Sequence, residues 1–511
     1  MTSRIHVPTA SLSSVALALI LFVGPVATLA SGSESEFEAS EVIVVLSPGE
    51  SIDGVNERWG TTILDAYPEG DLYLLSTPDS LDSEQWADAL EEDPAIEMAD
   101  ANYFQRTPEA TRQMVLAAVG GTSEDFEDQE IAQRIGLDEI HLHTLGAGIT
   151  VAVLDTGVDP NHPVLASHLS PDGMDFVDMD AEPWEERNGV DDDGDGTVDT
   201  AFGHGTMVAG IIALVAPEAT ILPIRTLNDE GQADVFTVLE AFRYAVLAGA
   251  DVLNLSFGTP TEIEILAENV LWASQMGATV VAAAGNRNLQ TPAYEPASDE
   301  KAFMVAALDS LDIKADFSDY CGDVTVSAPG VGVRSSYPED DWAIGHGCSF
   351  ATPFVSGEVA LILNLDPDAD WEEVHFRLET AVEDVYSIPE NEPYQGRLGA
   401  GRIYLPLIIE EATVGRTEPS GVVSRMEVYP NPSSGVFYGR GSAPPDRSDL
   451  RLTIHDATGR TIRSLKAPSK ASPLLWDGRD GDGRRVASGV YYLRSSRPGT
   501  VPNVVKLHVL R

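Results

Sequence analysis

Between Ile131 and Ala412, short apolar runs alternate with stretches of helical spacing. The runs ITVAVLD, TILPIRTL, ADVLNLSFG, ATVVAAAGN and KAFMVAAL are continuous, as expected of strands covered on both faces. They predict a parallel sheet in a doubly wound α/β domain over 131–412, with ligands gathering at the carboxyl ends of the strands. Upstream, EVIVVLSPG and DLYLLSTP flank a helix-like segment. A second such segment follows, with Asp82 placed to cap it and Gln85 three residues on. Residues 41–106 therefore predict a small α+β unit. Residues 107–130 lose periodicity and accumulate acids, which predicts an exposed, cleavable connection. Beyond a polar linker at 413–426, short strands separated by turn signals over 427–511 predict a small antiparallel β-sandwich. Residues 1–30 carry Arg4, the apolar run ALALILFVG and small residues ending at Ala30. That is the pattern of a secretory signal; an uncleaved anchor is the alternative.

A chain of 511 residues has room for roughly three such units. With 43% apolar and 22% charged residues it is neither wholly disordered nor a multi-span membrane protein. The net charge of −51 argues against nucleic acid as a partner, since phosphate binding needs clustered Lys and Arg. The charge is uneven: from Thr413 onward there are 16 basic and 8 acidic residues, so the tail is a separate module with its own surface chemistry. Two cysteines, Cys321 and Cys348, allow one bridge or two thiols, and geometry decides between them.

Three segments carry candidate chemistry. ITVAVLDTGVD ends a strand on Asp155, GHGTMVAGII sets His204 between glycines at the head of an apolar helix, and GCSFATPFVSGEVALILNL puts Ser349 at the start of a helix apolar on every side. A serine hydroxyl needs a base to become a nucleophile near neutral pH. Histidine can take that proton and later pass it to a leaving amine. A buried carboxylate fixes the imidazole tautomer and stabilises the imidazolium. Asp155, His204 and Ser349 supply these roles, and Ser349 at a helix amino terminus faces backbone N–H groups suited to an oxyanion. A fourth segment, ATVVAAAGN, ends on Asn286, whose amide is suited to complete the oxyanion hole.

In the order Asp, His, Asn, Ser, these segments resemble the subtilisin-like serine endopeptidases, the subtilases, over roughly 280 residues. The resemblance implies an autoprocessed secreted peptide hydrolase. It implies that Ser256, Phe257 and Gly258 form the strand pairing with an extended substrate, and that Ala284 and Gly285 wall the primary specificity pocket. Residues 41–106 resemble the family's propeptide, which assists folding, inhibits the enzyme intramolecularly and is cleaved off. The tail resembles immunoglobulin-like domains related to flagellar hook-cap modules and type IX secretion sorting domains, implying delivery to the exterior or the cell surface. Cys348 stands where the family usually has threonine, Phe350 where it has methionine and Phe354 where it commonly has histidine. A thiol is a weaker hydrogen-bond partner than a hydroxyl, so the alternative is a surface-displayed binding protein on a weakly active or inactive scaffold.

The stretch RNGVDDDGDGTVDT lies between Asp155 and His204. Its first half resembles a D-x-D-x-D-G calcium loop, with Asp191, Asp193, Asp195, Thr197 and Asp199 as candidate ligands of a structural Ca²⁺; a solvated acidic loop is the alternative. No glutamate closes the loop at the twelfth position, which is Phe202. DGRDGDGRR near Asp480 reads as a plain turn.

Overall fold

The structure is a computed structural model. It describes residues 37–409, except 48, 68–70, 79–80, 110–116, 193–195 and 291–293, and in the tail 426–429, 437–441, 451–456, 461–465, 474–481, 483–487, 489–496 and 503–509. The expected signal at 1–30 and nearly all of the linker at 413–426 lie outside the described residues.

The central sheet runs in the spatial order Val324–Pro329, Ala302–Leu308, Thr279–Ala283, Val252–Leu255, Thr150–Asp155, Thr220–Arg225 and Met174–Asp175, all parallel. A short antiparallel pair, Val382–Glu383 with Arg402–Ile403, extends the Val324–Pro329 edge. The first long strand, Thr150–Asp155, lies inside the sheet. The chain fills one side of it, the edge strand Met174–Asp175 first and then Thr220–Arg225 between, and afterwards crosses to build on the other, so Asp155 ends a strand at the switch point where crevices form.

Helices His204–Val215 and Cys348–Leu365 are packed together, and apolarity around their whole circumference places them in the core. Every residue of His204–Val215 is buried. Full burial of side chains such as Val208, Ile211 and Ile212 contributes about 1.5–3 kcal/mol each. Cys348–Leu365 is the one described helix long and apolar enough to cross a bilayer, and it is 89% buried as a core element.

The unit before the catalytic domain is an antiparallel sheet in which Phe37–Leu46 lies between Leu72–Ser76 and Ile96–Arg106. Asp82 accepts from the Gln85 N–H and caps helix Ser83–Glu91. Last in the unit, Ile96–Arg106 docks by capping two helices of the larger domain. Asp100 Oδ2 accepts from Ile265 N at 2.9 Å at the start of Glu264–Met276, whose own N-cap residue, Ile263, has no side-chain acceptor. Asn102 Oδ1 accepts from Phe236 N at 3.1 Å at the start of Val235–Leu247.

The expected exposed connection at 107–130 differs in the structure. Ala117–Ala118 pairs with strand Asp341–His346, and a Thr122/Asp125 capping box starts helix Ser123–Glu127. Phe126 is 2% exposed and packs on Trp342, so its burial outweighs the surrounding charge. In the tail, the described strands form a three-stranded and a four-stranded antiparallel sheet around Leu452, Ile454, Trp476 and Leu493. Asp480 Oδ1 accepts from Arg484 N and closes the turn expected there.

Candidate active site

Strand Thr150–Asp155 ends with the Asp155 carboxylate fully buried, and Oδ1 accepts from Thr156 N at 2.8 Å and His204 Nδ1 at 2.7 Å. A donor on Nδ1 fixes the tautomer that leaves Nε2 as the base. His204 can approach this closely because Gly205 follows it: a Cβ there would stand 2.2 Å from Gly157 O and 3.0 Å from Asp155 Cβ.

Ser349 is the second residue of Cys348–Leu365 and is fully buried. Pro353, four residues on, has no N–H, which frees the Ser349 carbonyl from the helix ladder. Ser256 Oγ donates to that carbonyl at 2.9 Å, Asn254 Nδ2 donates to Ser256 Oγ, and Ser356 Oγ donates back to Asn254 Oδ1. The network ties the helix bearing Ser349 to strand Val252–Leu255 and to the predicted substrate strand beyond it.

Asn286 follows strand Thr279–Ala283, and its Oδ1 accepts from Cys348 N at 2.9 Å. That bond orients the amide, turning Nδ2 toward Ser349. The two cysteines are free and buried. The Cys348 thiol donates to Gly285 O at 3.1 Å and lies 3.3 Å from Ser318 Oγ; burial pushes its pKa up to about 12. The thiol thus braces the backbone at Gly285, while the backbone N–H of Cys348, independent of side chain, holds the Asn286 amide.

Three of these groups, Ser349, His204 and Asn286, converge on one side chain that the sequence reading did not single out. Glu109 Oε2 accepts from Ser349 Oγ at 2.6 Å and lies 3.4 Å from His204 Nε2, while Oε1 accepts from Asn286 Nδ2 at 2.9 Å. Burial by itself would lower the His204 pKa. The Asp155 carboxylate, with Glu109 on the other side, outweighs burial and holds it up at about 10.

Glu109 is delivered by an extended segment. Phe104–Arg106 pairs antiparallel with Gln232–Asp234 on one side, and Arg106 exchanges both backbone hydrogen bonds with Gly258 on the other. Thr107 N then donates to Gly231 O. Of the predicted substrate residues, Gly258 contacts this segment through its backbone, Ser256 O lies 3.0 Å from Ser349 Oγ, and Phe257 is in the core. Gly285 has φ +103°, and a Cβ there would meet the Asp319 carboxylate at 2.5 Å. Ala284 N donates to Val305 O.

Of the candidate metal residues, Asp191 and Asp199 are described with backbone donors on their carboxylates. Asp191 Oδ2 accepts from Gly196 N, and Asp199 Oδ1 accepts from Gly189 N. The Asp199 carboxylate is also hydrogen-bonded to that of Asp229, which burial, with Asp199 adding to it, holds up at about 6. Asp193 and Asp195 lie outside the described residues. Among the described residues, no group of three or more His, Cys, Asp or Glu side chains is placed to hold an ion.

Among α/β proteins this geometry defines a class: peptidases that set a histidine-activated serine at the carboxyl edge of a parallel sheet. Comparison with known proteins narrows it. Residues 146–401 match the Subtilase family, and the chain belongs to that family. Residues 24–102 match the fervidolysin N-terminal prodomain and 432–497 the FlgD Ig-like domain.

Thermitase of Thermoactinomyces vulgaris is 39% identical over 227 residues, covering 42% of this chain and 75% of thermitase. An alkaline protease of Alkalihalobacillus alcalophilus is 31% identical over 381 residues, covering 70% and 90%. The crystal structure of fervidolysin from Fervidobacterium pennivorans superposes with a TM-score of 0.60 at 20% identity, over 90% of this chain and 71% of fervidolysin, a likeness of fold. The chain is a subtilisin-like serine peptidase with a prodomain and an Ig-like carboxyl domain.

Proposed function

We propose that the chain is an exported serine endopeptidase held as a self-inhibited zymogen. The observation that carries this is Glu109, one carboxylate that meets the nucleophile, the base and the oxyanion donor together. It occupies those groups much as the acid product of peptide hydrolysis would. A substrate enters as an added strand between Ser256–Gly258 and Gln232–Asp234, so main-chain hydrogen bonds supply much of its affinity.

With Glu109 gone, His204 Nε2 takes the Ser349 proton while Oγ attacks the peptide carbonyl. The oxyanion is met by Asn286 Nδ2 and the Ser349 N–H. The imidazolium then gives its proton to the departing amine as the C–N bond breaks, and water attacks the acyl-enzyme along the same relay. The segments on either side of 110–116 are both paired, which favours self-cleavage between Glu109 and Ala117.

The binding-protein reading was motivated by Cys348 and the tail; the thiol's hydrogen bond to Gly285 O weighs against the first motive. Export rests on residues 1–30 and delivery outside the cell on the tail. Calcium at the Asp191–Asp199 loop rests on the acidic spacing. Ser349→Ala tests the reading: it abolishes hydrolysis, fluorophosphonate labelling and loss of the prodomain. A variant that still sheds its prodomain without added protease refutes it.

A further inference from the structure

The insertion between Asp155 and His204 places a carboxylate against both arms of the catalytic pair. Glu185 Oε1 accepts from Thr156 Oγ1 at 2.9 Å and from Thr206 N at 3.1 Å, with Thr206 Oγ1 at 3.4 Å; Oε2 accepts from Gly203 N at 2.9 Å. Thr156 directly follows Asp155, and its N–H is the second donor on Asp155 Oδ1. Gly203 and Thr206 flank His204 in the first turn of its helix, where backbone N–H groups have no partner within the helix. The N-cap position of that helix is Gly203, which has no side chain to cap with.

The loop is held against the strand end by close backbone packing. Gly157 has φ +107°, and a Cβ there would stand 2.7 Å from Trp184 O and 2.9 Å from Glu185 N. Thr156 Oγ1 closes the circuit by accepting from Gly205 N at 3.0 Å.

We propose that Glu185 is a positioning residue of the catalytic relay: its single carboxylate ties the strand end bearing Asp155 to the helix start bearing His204 and sets their separation. The residue keeps part of its surface exposed, but the carboxylate faces inward onto these donors. Burial pushes its pKa up to about 7 despite the Gly203 and Thr206 N–H groups, and the nearby Asp155 charge adds to the rise. A group kept at that cost beside a proton relay fits a functional placement better than an incidental one.

The inference rests on Ser349 being the nucleophile, which fluorophosphonate labelling of the unsubstituted protein tests on its own. The test uses the full chain, matured by added protease where self-processing is slow. Glu185→Gln keeps the volume but faces an amide N–H₂ against either Gly203 N or the Thr156/Thr206 donors. Thr156→Val removes the hydroxyl that links Glu185 to the strand end and that accepts from Gly205 N, and Thr156→Ser restores both bonds.

Misplacing a catalytic group by about 1 Å costs up to about 100-fold in rate. Both Glu185→Gln and Thr156→Val are therefore expected to lower kcat roughly 10-fold or more with KM within about twofold, and Thr156→Ser to recover most of it. The downfield resonance of the His204 Nδ1 proton should shift in the first two variants and return in the third. If Glu185→Gln does not fold, the two threonine variants carry the test. Unchanged kcat and resonance in folded Thr156→Val, or a kcat loss that Thr156→Ser shares, overturns the proposal.

Discussion

Replacing Glu109 by alanine should open the catalytic centre of the zymogen while leaving its prodomain docked. The carboxylate makes two charge-assisted hydrogen bonds, to Ser349 Oγ at 2.6 Å and Asn286 Nδ2 at 2.9 Å, and faces His204 Nε2 at 3.4 Å. Hydrogen bonds to charged groups contribute about 1.5–3 kcal/mol each. They are not additive when they share one carboxylate, so about 3 kcal/mol is a reasonable net value, or about 150-fold in the population with Ser349 uncovered. The strand contacts of Arg106 and Thr107 survive the substitution, because they are made by backbone. A small fluorophosphonate reports on Ser349 alone, so its rate of reaction with the full-length, unprocessed band measures the latch and not the strand. Glu109→Ala should label about 100-fold faster than the wild-type zymogen. Glu109→Gln should fall between them, since an amide offers one acceptor where the carboxylate offers two. Loss of one anion should also lower the His204 pKa from about 10. Equal labelling rates for Glu109→Ala and wild type would show that this carboxylate does not guard the nucleophile.

The remaining predictions concern stability. Asp100 and Glu240 are each pushed up to about 7, by burial in the first place and by neighbouring acids, so each is harder to ionise in the folded zymogen than in the unfolded chain. Such groups stabilise below their ordinary carboxylate range and lose that contribution as pH rises to about 7. His204 stabilises below its ordinary value of 6.5 and loses its contribution as pH rises through about 10. All three signs agree, so the melting temperature of the Ser349→Ala zymogen should fall steadily from pH 5 to pH 10, and a flat or rising profile would contradict them. Glu358 is fully buried in the nucleophile's helix with neither carboxylate oxygen hydrogen-bonded, and burial raises its pKa well above the usual range. Glu358→Met should stabilise by about 1–3 kcal/mol in denaturant titration, the cost of an unsatisfied buried polar group, and a loss of stability would reveal a partner for that carboxyl. A chelator should lower the melting temperature of the calcium-loaded protein, and no change at low salt would count against an ion in the Asp191–Asp199 loop.

The parts of the site legible in the sequence share a physical cause. Asp155, His204, Asn286 and Ser349 each sit where a strand ends or a helix begins, and such junctions announce themselves through apolar runs cut off by small or polar residues. The sheet was legible for the same reason, since strands buried on both faces cannot alternate. The connection at 107–130 misled because acids dominate it. Thr122 and Asp125 form a capping box there, and Phe126 is a core residue, but two cues among many carboxylates do not alter a periodicity.

Glu109 and Glu185 were illegible for a deeper reason. The chain carries 82 acidic residues, so one more glutamate in an acidic stretch tells a reader nothing. What distinguishes these two is the donors that surround them, and those come from remote parts of the chain: Ser349, Asn286 and His204 for one, Thr156, Gly203 and Thr206 for the other. The residues proposed to do chemistry are constrained by their own backbone setting and so leave a local trace. Residues that hold or block the chemistry are constrained only through space. In so acidic a chain, the carboxylates worth mutating are those the fold surrounds with N–H and O–H donors, and Glu109 and Glu185 meet that condition, one at His204 Nε2 and the other on the backbone N–H groups of Gly203 and Thr206 that flank it.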